Sequence, residues 1–233
     1  MMGNSDKQGV MNGTVPTVFV VDDASPIREA LSRLLLAADY QVRSFESAER
    51  FLEEHDTQAL GCLLLDVCMP GLNGIDLQRA LKKSTCARPI VFLSGISDIP
   101  TSVGAMKAGA VDFLVKPIDS ERLLAAVAQA VDRDEKQRRE YAIRSIIQRR
   151  FNKLTPRERQ VTVRVVRGHL NKQIAAELSV AEKTVKVHRG RLMKKMGVRS
   201  VAELVRFGAR IEITVDPVLR VGPAAIGSKE GFR

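Results

Sequence analysis

Tryptophan is absent from this chain of 233 residues, and aromatic residues together make up only 4% of it. That scarcity argues against a protein that grips single-stranded nucleic acid, because such proteins stack bases on exposed rings. Cysteine is nearly as rare. Cys62, Cys68 and Cys86 are odd in number, show no CxxC pairing and have no histidine at metal-ligand spacing. Neither a disulfide framework nor a zinc site is expected from that pattern, and Cys62 and Cys86 read as small apolar fillers. No apolar run approaches the roughly 18 residues that span a membrane, and residues 1–15 are polar, without the apolar centre of a signal peptide. No membrane contact is expected, and the chain is expected to stay in the cytoplasm.

What is present is 45% hydrophobic residues, enough for ordinary aliphatic cores, in a length that suits two small domains. The formal charge of +10 is unevenly placed. Residues 1–137 hold 14 Lys+Arg against 19 Asp+Glu, whereas residues 138–211 hold 20 against 5. An acidic half is thus joined to a strongly basic one. Nucleic acid is the natural partner of the second half, since Lys and Arg that neutralise phosphates release condensed counterions.

From residue 17 onward, short β-rich apolar runs alternate with helical patterns: 17–21 then 25–38, 41–45 then 47–54, 62–65 then 74–83, 90–93 then 98–108, and 111–115 then 120–131. Several runs, such as Val18-Phe19-Val20-Val21 and Cys62-Leu63-Leu64-Leu65, are continuously apolar, as parallel strands covered on both faces must be. The expected fold is therefore an α/β doubly wound, five-stranded parallel sheet. Ser25 is read as the cap of the first helix, with Pro26 at its first turn. Residues 132–152 lack Gly and Pro and read as a helical linker. Its edge of Ile143, Ile146 and Ile147 either packs on a partner or lies in solvent.

A second, all-α domain is expected over 153–211. Thr155, Pro156 and Glu158 form a capping box with Pro in the first turn, Asn171 is read as a further cap, and Ser179 with Glu182 and Ser200 with Glu203 read as two more boxes. Four short helices at this spacing, the middle pair joined by a tight turn, fit a helix-turn-helix. Residues 1–15 and 212–233 read as disordered tails, the latter rich in Gly and Pro.

Ligands of doubly wound sheets bind beyond the carboxyl ends of the strands. Asp22 and Asp23 follow the first strand, Asp66 ends the third, Ser94 the fourth and Lys116 the fifth. Each alone could merely cap a loop, but together they make a site. Three carboxylates side by side call for a hard cation such as Mg²⁺. Asp66 is the candidate nucleophile, able to form an aspartyl phosphate, with Lys116 and Ser94 to hold phosphoryl oxygens.

Across residues 16–131 these motifs make the chain resemble the receiver domains of two-component response regulators. The resemblance rests on Val21-Asp22-Asp23, Leu65-Asp66-x-x-Met69-Pro70-Gly71-x-x-Gly74, Leu93-Ser94-Gly95, the run from Ala105 to Leu114, and Lys116-Pro117. It implies that Asp66 accepts phosphate from a sensor histidine kinase. One Mg²⁺ would be held by Asp22, Asp23, Asp66 and the backbone carbonyl of Cys68. Ser94 and Phe113 would act as a switch pair, the bond before Pro117 would be cis, and phosphorylation would drive a homodimer through a face around the fourth helix, fifth strand and fifth helix. Two residues depart from the pattern of FixJ-type regulators: Cys68 stands where Arg is usual and Ile96 where His is usual, so both are candidates to tune phosphoryl lifetime. A redox role for Cys68 has little support, since a thiol beside carboxylates has no reason to ionise.

In the predicted third helix of the second domain, Ala181, Val185, Leu192 and Met196 share one face and are expected in the core. The other face presents Lys183, Thr184, Lys186, Val187, Arg191 and Lys194. A valine exposed among lysines is explained if it meets a thymine methyl in the major groove, whereas His188, at the edge of the buried face, reads as a packing residue. Residues 154–207 resemble the DNA-binding domain of LuxR, NarL and FixJ regulators through Leu154-Thr155-Pro156-Arg157-Glu158, Asn171-Lys172-Gln173-Ile174-Ala175 and Thr184-Val185-Lys186-Val187-His188-Arg189. With a receiver in front, this implies the FixJ branch: a transcription factor that binds double-stranded promoter DNA, works with RNA polymerase, and dimerises through Ala202, Val205 and Arg206 of its last helix. Gly190 departs from members with lysine there and is given no base contact. Two rivals remain open at this level. An Asp-nucleophile phosphohydrolase would usually need a carboxylate two residues after the nucleophile, where this chain has Cys68. A constitutive DNA-binding protein would use the first domain only as a scaffold.

Overall fold

The computed structural model describes residues 15–83, 88–95, 99–211 and 213. The expectations for the two tails, Cys86 and Ile96 lie outside the described residues. The chain divides into two compact units between Arg139 and Glu140.

In the first unit, strands β1 (Thr17–Val21), β2 (Gln41–Phe45), β3 (Gly61–Asp66), β4 (Ile90–Ser94) and β5 (Asp112–Val115) alternate with helices α1 (Ser25–Ala37), α2 (Ala48–Glu54), α3 (Gly74–Lys83), α4 (Ile99–Lys107) and α5 (Ser120–Asn152). The strands form one sheet in the order β2-β1-β3-β4-β5, and every pairing is parallel. β1, β3 and β4 are wholly buried because each lies inside the sheet with helices on both faces. One face carries a core built around Phe19, Phe51, Leu65 and Phe92, the other a core around Leu35, Leu64, Leu93 and Leu123. The strand order reverses between β1 and β3, which places Asp22 and Asp66 side by side at the sheet's switch point.

One local reading is corrected here, and one helix is longer than expected. Ser25 is inside α1, its hydroxyl on Glu29 Oε1; the cap position is Ala24, whose N–H donates to Asp22 Oδ1 at 2.9 Å. The Asp22 carboxylate thus holds the residue before the helix, and no side chain caps the first turn of α1. α5 has no break at Val131 and runs 33 residues through the stretch read as a linker. Of its apolar edge, Ile147 is buried with Phe151 in the core of the second unit, while Ile143 and Ile146 are exposed.

The second unit adds helices α6 (Pro156–Val166), α7 (Asn171–Glu177), α8 (Glu182–Met196) and α9 (Val201–Arg210). Its core gathers Val161, Ile174, Val185, Leu192, Met196 and Leu204. The Thr155–Glu158 capping box is formed on both sides, and Ser200 caps α9 by accepting from the Glu203 N–H. The other two caps are corrected. Asn171 begins α7 rather than preceding it, and its Oδ1 accepts from Arg189 Nη1 at 2.9 Å. Ser179 takes the left-handed conformation after α7, so Ala181 stands at the start of α8, exposed and without a capping side chain.

Candidate phosphoacceptor site and DNA-reading helix

Asp22 and Asp66 are both buried, and Lys116 bridges them: its Nζ lies 2.7 Å from Asp22 Oδ2 and 2.6 Å from Asp66 Oδ1. Asp66 Oδ2 in turn accepts from the Cys68 N–H at 2.9 Å. Burial pushes the Asp66 carboxyl above its ordinary value, against the pull of Lys116. Burial also works against the Lys116 ammonium, but its bonds to Asp22 and Asp66 prevail and hold its proton more tightly than usual. The site is an electrostatic balance in which one cation is shared by two anions.

Backbone geometry fixes this arrangement. Arg28 Nη1 donates to the carbonyls of Asp22 and Asp23 at 2.8 and 2.9 Å, which stiffens the turn that carries both carboxylates. α3 begins so close to Asp66 that a Cβ on Gly74 would lie 2.2 Å from the Asp66 carbonyl oxygen. No side chain fits there. Glu49 Oε1 accepts from the Leu72 N–H at 2.8 Å and ties down the loop between Asp66 and α3. Sequence reasoning missed Arg28 and Glu49, because their partners are backbone groups that only the fold brings near.

Among the expected metal ligands, Asp22 and Asp66 converge on one point, whereas Asp23 is exposed at the same strand end. No group of three or more His, Cys, Asp or Glu side chains forms a ready metal cage among the described residues. Two converging buried carboxylates with an exposed third beside them nevertheless offer only hard oxygen donors, the chemistry a Mg²⁺ ion requires. Cys68 has an exposed side chain, so the residue where a hydrolase would carry its acid contributes an N–H to Asp66.

Ser94 is buried at the end of β4, and its carbonyl accepts from the Lys116 N–H at 2.7 Å. Phe113 on β5 is half-buried, its ring 6.1 Å from that of Phe92. The Lys116–Pro117 bond is cis, as expected.

In the second unit, α8 buries Val185, Leu192 and Met196 and exposes Lys183, Thr184, Lys186, Val187, Arg191 and Lys194. His188 is partly buried, in keeping with a packing role. Lys186 pairs loosely with Glu182 one turn earlier, at 3.3 Å. A Cβ on Gly190 would meet nothing within 4 Å, so packing does not demand glycine there. The Arg189–Asn171 bond and the 2.7 Å ion pair of Lys195 with buried Glu158 fasten the inner side of α8 to α7 and to the start of α6. The Glu158 carboxyl sits below its ordinary range, because Lys195 and the Thr155 N–H and hydroxyl outweigh its burial. On α9, Ala202, Val205 and Arg206 are exposed.

Residues 18–128 match the model of the response regulator receiver domain, and residues 152–208 match that of the bacterial regulatory proteins of the luxR family. The chain is 42% identical to the response regulator protein TodT of Pseudomonas putida over 206 residues, covering 88% of this chain and 91% of that protein. It is 39% identical to the transcriptional regulatory protein FixJ of Bradyrhizobium diazoefficiens over 193 residues, covering 83% of this chain and 94% of that one. Among solved structures, the response regulator StyR superposes with a TM-score of 0.74 at 45% identity, over 84% of this chain and all of the other. Full-length FixJ from B. japonicum does so with 0.53 at 38%, over 86% and 99%. With an acidic switch-point site in one unit and a lysine-faced helix in the other, the chain belongs to the two-component response regulators that join a receiver domain to a LuxR-type DNA-binding domain and regulate transcription.

Proposed function

We propose that Asp66 is the phosphoacceptor and that its phosphorylation controls promoter binding by α8. The observation that carries this reading is the Lys116 ammonium shared between Asp22 and Asp66 at 2.7 and 2.6 Å. A phosphoryl group on Asp66 brings oxygens that compete for that ammonium, so the balance within the site must change.

In the reaction, an Asp66 carboxylate oxygen attacks the phosphorus of a phosphohistidine on the cognate kinase; the P–O bond forms as the P–N bond breaks. Burial that disfavours the Asp66 charge makes its carboxylate a more basic and so a better nucleophile. Lys116 passes from Asp66 Oδ1 to a phosphoryl oxygen while keeping Asp22. Asp22, Asp23, Asp66 and the Cys68 carbonyl would hold Mg²⁺, which supplies positive charge against the transferring group. The Ser94 hydroxyl takes another phosphoryl oxygen, and the Phe113 ring moves into the space it leaves. Apart from phosphoryl transfer and its own dephosphorylation, the receiver carries no catalysis.

Dimerisation of phosphorylated receivers then brings two DNA-binding domains onto paired half-sites, with Ala202, Val205 and Arg206 at the second dimer contact. Lys183, Lys186, Arg191 and Lys194 neutralise phosphates or read guanine, with Thr184 beside them, and Val187 meets a thymine methyl. RNA polymerase is the downstream partner, and the DNA target places the protein in the cytoplasm.

The test is exposure to acetyl phosphate with Mg²⁺, comparing wild type with Asp66→Ala. Wild type should gain one phosphoryl group and bind DNA more tightly as a dimer. Equal incorporation and equal affinity in the two proteins would sink the reading.

A further inference from the structure

Beyond the acceptor site, the first unit holds a second set of buried charges at the opposite end of β3. Asp134, on α5, is buried at 3% exposure, although it lies past the last sheet-packing residues of that helix. Its Oδ2 accepts from the Gly61 N–H, the first residue of β3, at 2.9 Å and from Arg138 Nε at 2.7 Å. The two terminal nitrogens of Arg138 donate to the carbonyls of Gln58, Thr57 and Ala59. Arg88, also buried, takes the Ala59 and Asp56 carbonyls and lies 4.2 Å over the Phe19 ring. Two arginines and one aspartate therefore gather the carbonyls of the loop before β3 and fasten it to α5. Gly61 admits no side chain, since a Cβ there would lie 1.8 Å from the Thr17 carbonyl oxygen. The loop's path is fixed from both sides.

The clamp changes where α5 leaves the first unit. Helix residues as far as Arg138 are bound to the first unit, and Ile147 is sealed in the core of the second. Between them, residues 139–146 are exposed or half-exposed. Two ion pairs of this stretch, Arg139 with Glu135 and Glu140 with Arg210 at 3.9 Å, are surface contacts of little strength. Without the clamp, the stretch buried in neither unit would begin at residue 132 and be longer by two turns, about 10 Å of helix.

We propose that Asp134 and Arg138 are positioning residues for the output. They make the first two turns of the linker a rigid part of the receiver and confine bending to residues 139–146, so that receiver dimerisation is transmitted to the DNA-binding domain. This rests on the reading that phosphorylation promotes DNA binding. Arg138 cannot be replaced by lysine in this role, because one ammonium cannot span a carboxylate and three carbonyls.

The experiment uses the full chain as wild type, Asp134→Ala, Arg138→Met and Arg138→Lys, with a DNA duplex selected from a random pool on phosphorylated wild type. Three quantities are read: phosphoryl incorporation from acetyl phosphate, amide hydrogen exchange of residues 132–138, and the ratio of DNA affinities with and without phosphorylation. Expected are incorporation within about twofold of wild type, exchange at least tenfold faster in all three variants, and a phosphorylation-dependent gain that falls at least threefold, with lysine failing to rescue. Unchanged exchange, or faster exchange with an unchanged gain, overturns the proposal alone. Absence of any gain in wild type removes the activation reading itself and this inference with it.

Discussion

Replacing Lys116 by Met keeps most of the side-chain volume and removes the charge that Asp22 and Asp66 share. Each contact, at 2.7 and 2.6 Å, corresponds to about 6 kcal/mol of attraction at an effective dielectric of about 20. Most of that is offset by the desolvation of the three charges. Removing one partner of a buried pair typically costs about 3–5 kcal/mol, and Lys116 retains contact with water, so about 3 kcal/mol is expected at neutral pH. The pH dependence follows in sign. Without Lys116, the burial that already raises the Asp66 carboxyl is unopposed, so it stays protonated to higher pH in the folded receiver than in the unfolded chain. The folded state then binds more protons, and stability falls as pH rises through and beyond the ordinary carboxylate range. The deficit should be largest at pH 7–8 and shrink towards about pH 4. Mg²⁺ should restore part of it at pH 7.5, since an ion that binds only the folded site stabilises it. The assay is urea unfolding followed by circular dichroism in EDTA and in Mg²⁺, at several pH values, with the receiver transition identified as the one that responds to Mg²⁺. At a slope of about 1.5 kcal/mol per molar, 3 kcal/mol lowers the midpoint by about 2 M. A Lys116→Met protein with the wild-type midpoint at pH 7.5 and no dependence on pH would refute this account of the site.

In the second domain, Glu158→Gln should lower stability by about 1–2 kcal/mol at pH 7, because it takes the ionic acceptor from Lys195 and from the Thr155 N–H. The Glu158 carboxyl lies below its ordinary range when folded, so the wild-type advantage is present above that range and disappears as pH falls through it; thermal melts at pH 7 and pH 3 would read this. Lys194→Ala should weaken binding evenly across DNA sequences and reduce the salt slope of log affinity by about one, measured by fluorescence anisotropy at several salt concentrations. Val187→Ser should instead change sequence preference, costing about 1 kcal/mol at a single thymine position with the salt slope unchanged; a uniform loss would assign Val187 no base contact.

The sheet was legible because buried parallel strands read as unbroken apolar runs, and the acceptor site because its residues stand at strand ends, where chain order alone brings them together. The helix starts were less legible. Ser25, Asn171 and Ser179 each carry a side chain suited to capping, yet Ser25 lies inside α1 and bonds Glu29, Asn171 pairs with Arg189, and Ser179 lies in the turn after α7. Ala181 falls on the expected apolar face by periodicity but is exposed, because it precedes the first helical turn and so escapes the core.

The sequence by itself determined the two-domain plan, the acidic cluster around Asp66 and the basic face of α8, since these depend on periodicity, local spacing and the placement of charge along the chain. Tertiary structure alone decided that Lys116 is shared between Asp22 and Asp66, that Asp23 stands apart in solvent, and that Arg28 and Glu49 brace the loops around them. It also decided that α5 runs unbroken past Val131, with Asp134 and Arg138 bound to the loop before β3. Lys116 meets side chains that strand order brings to one point. For Arg28, Glu49, Asp134 and Arg138, backbone carbonyls and N–H groups are partners, they are identical at every position, and only the fold selects which ones a distant side chain reaches.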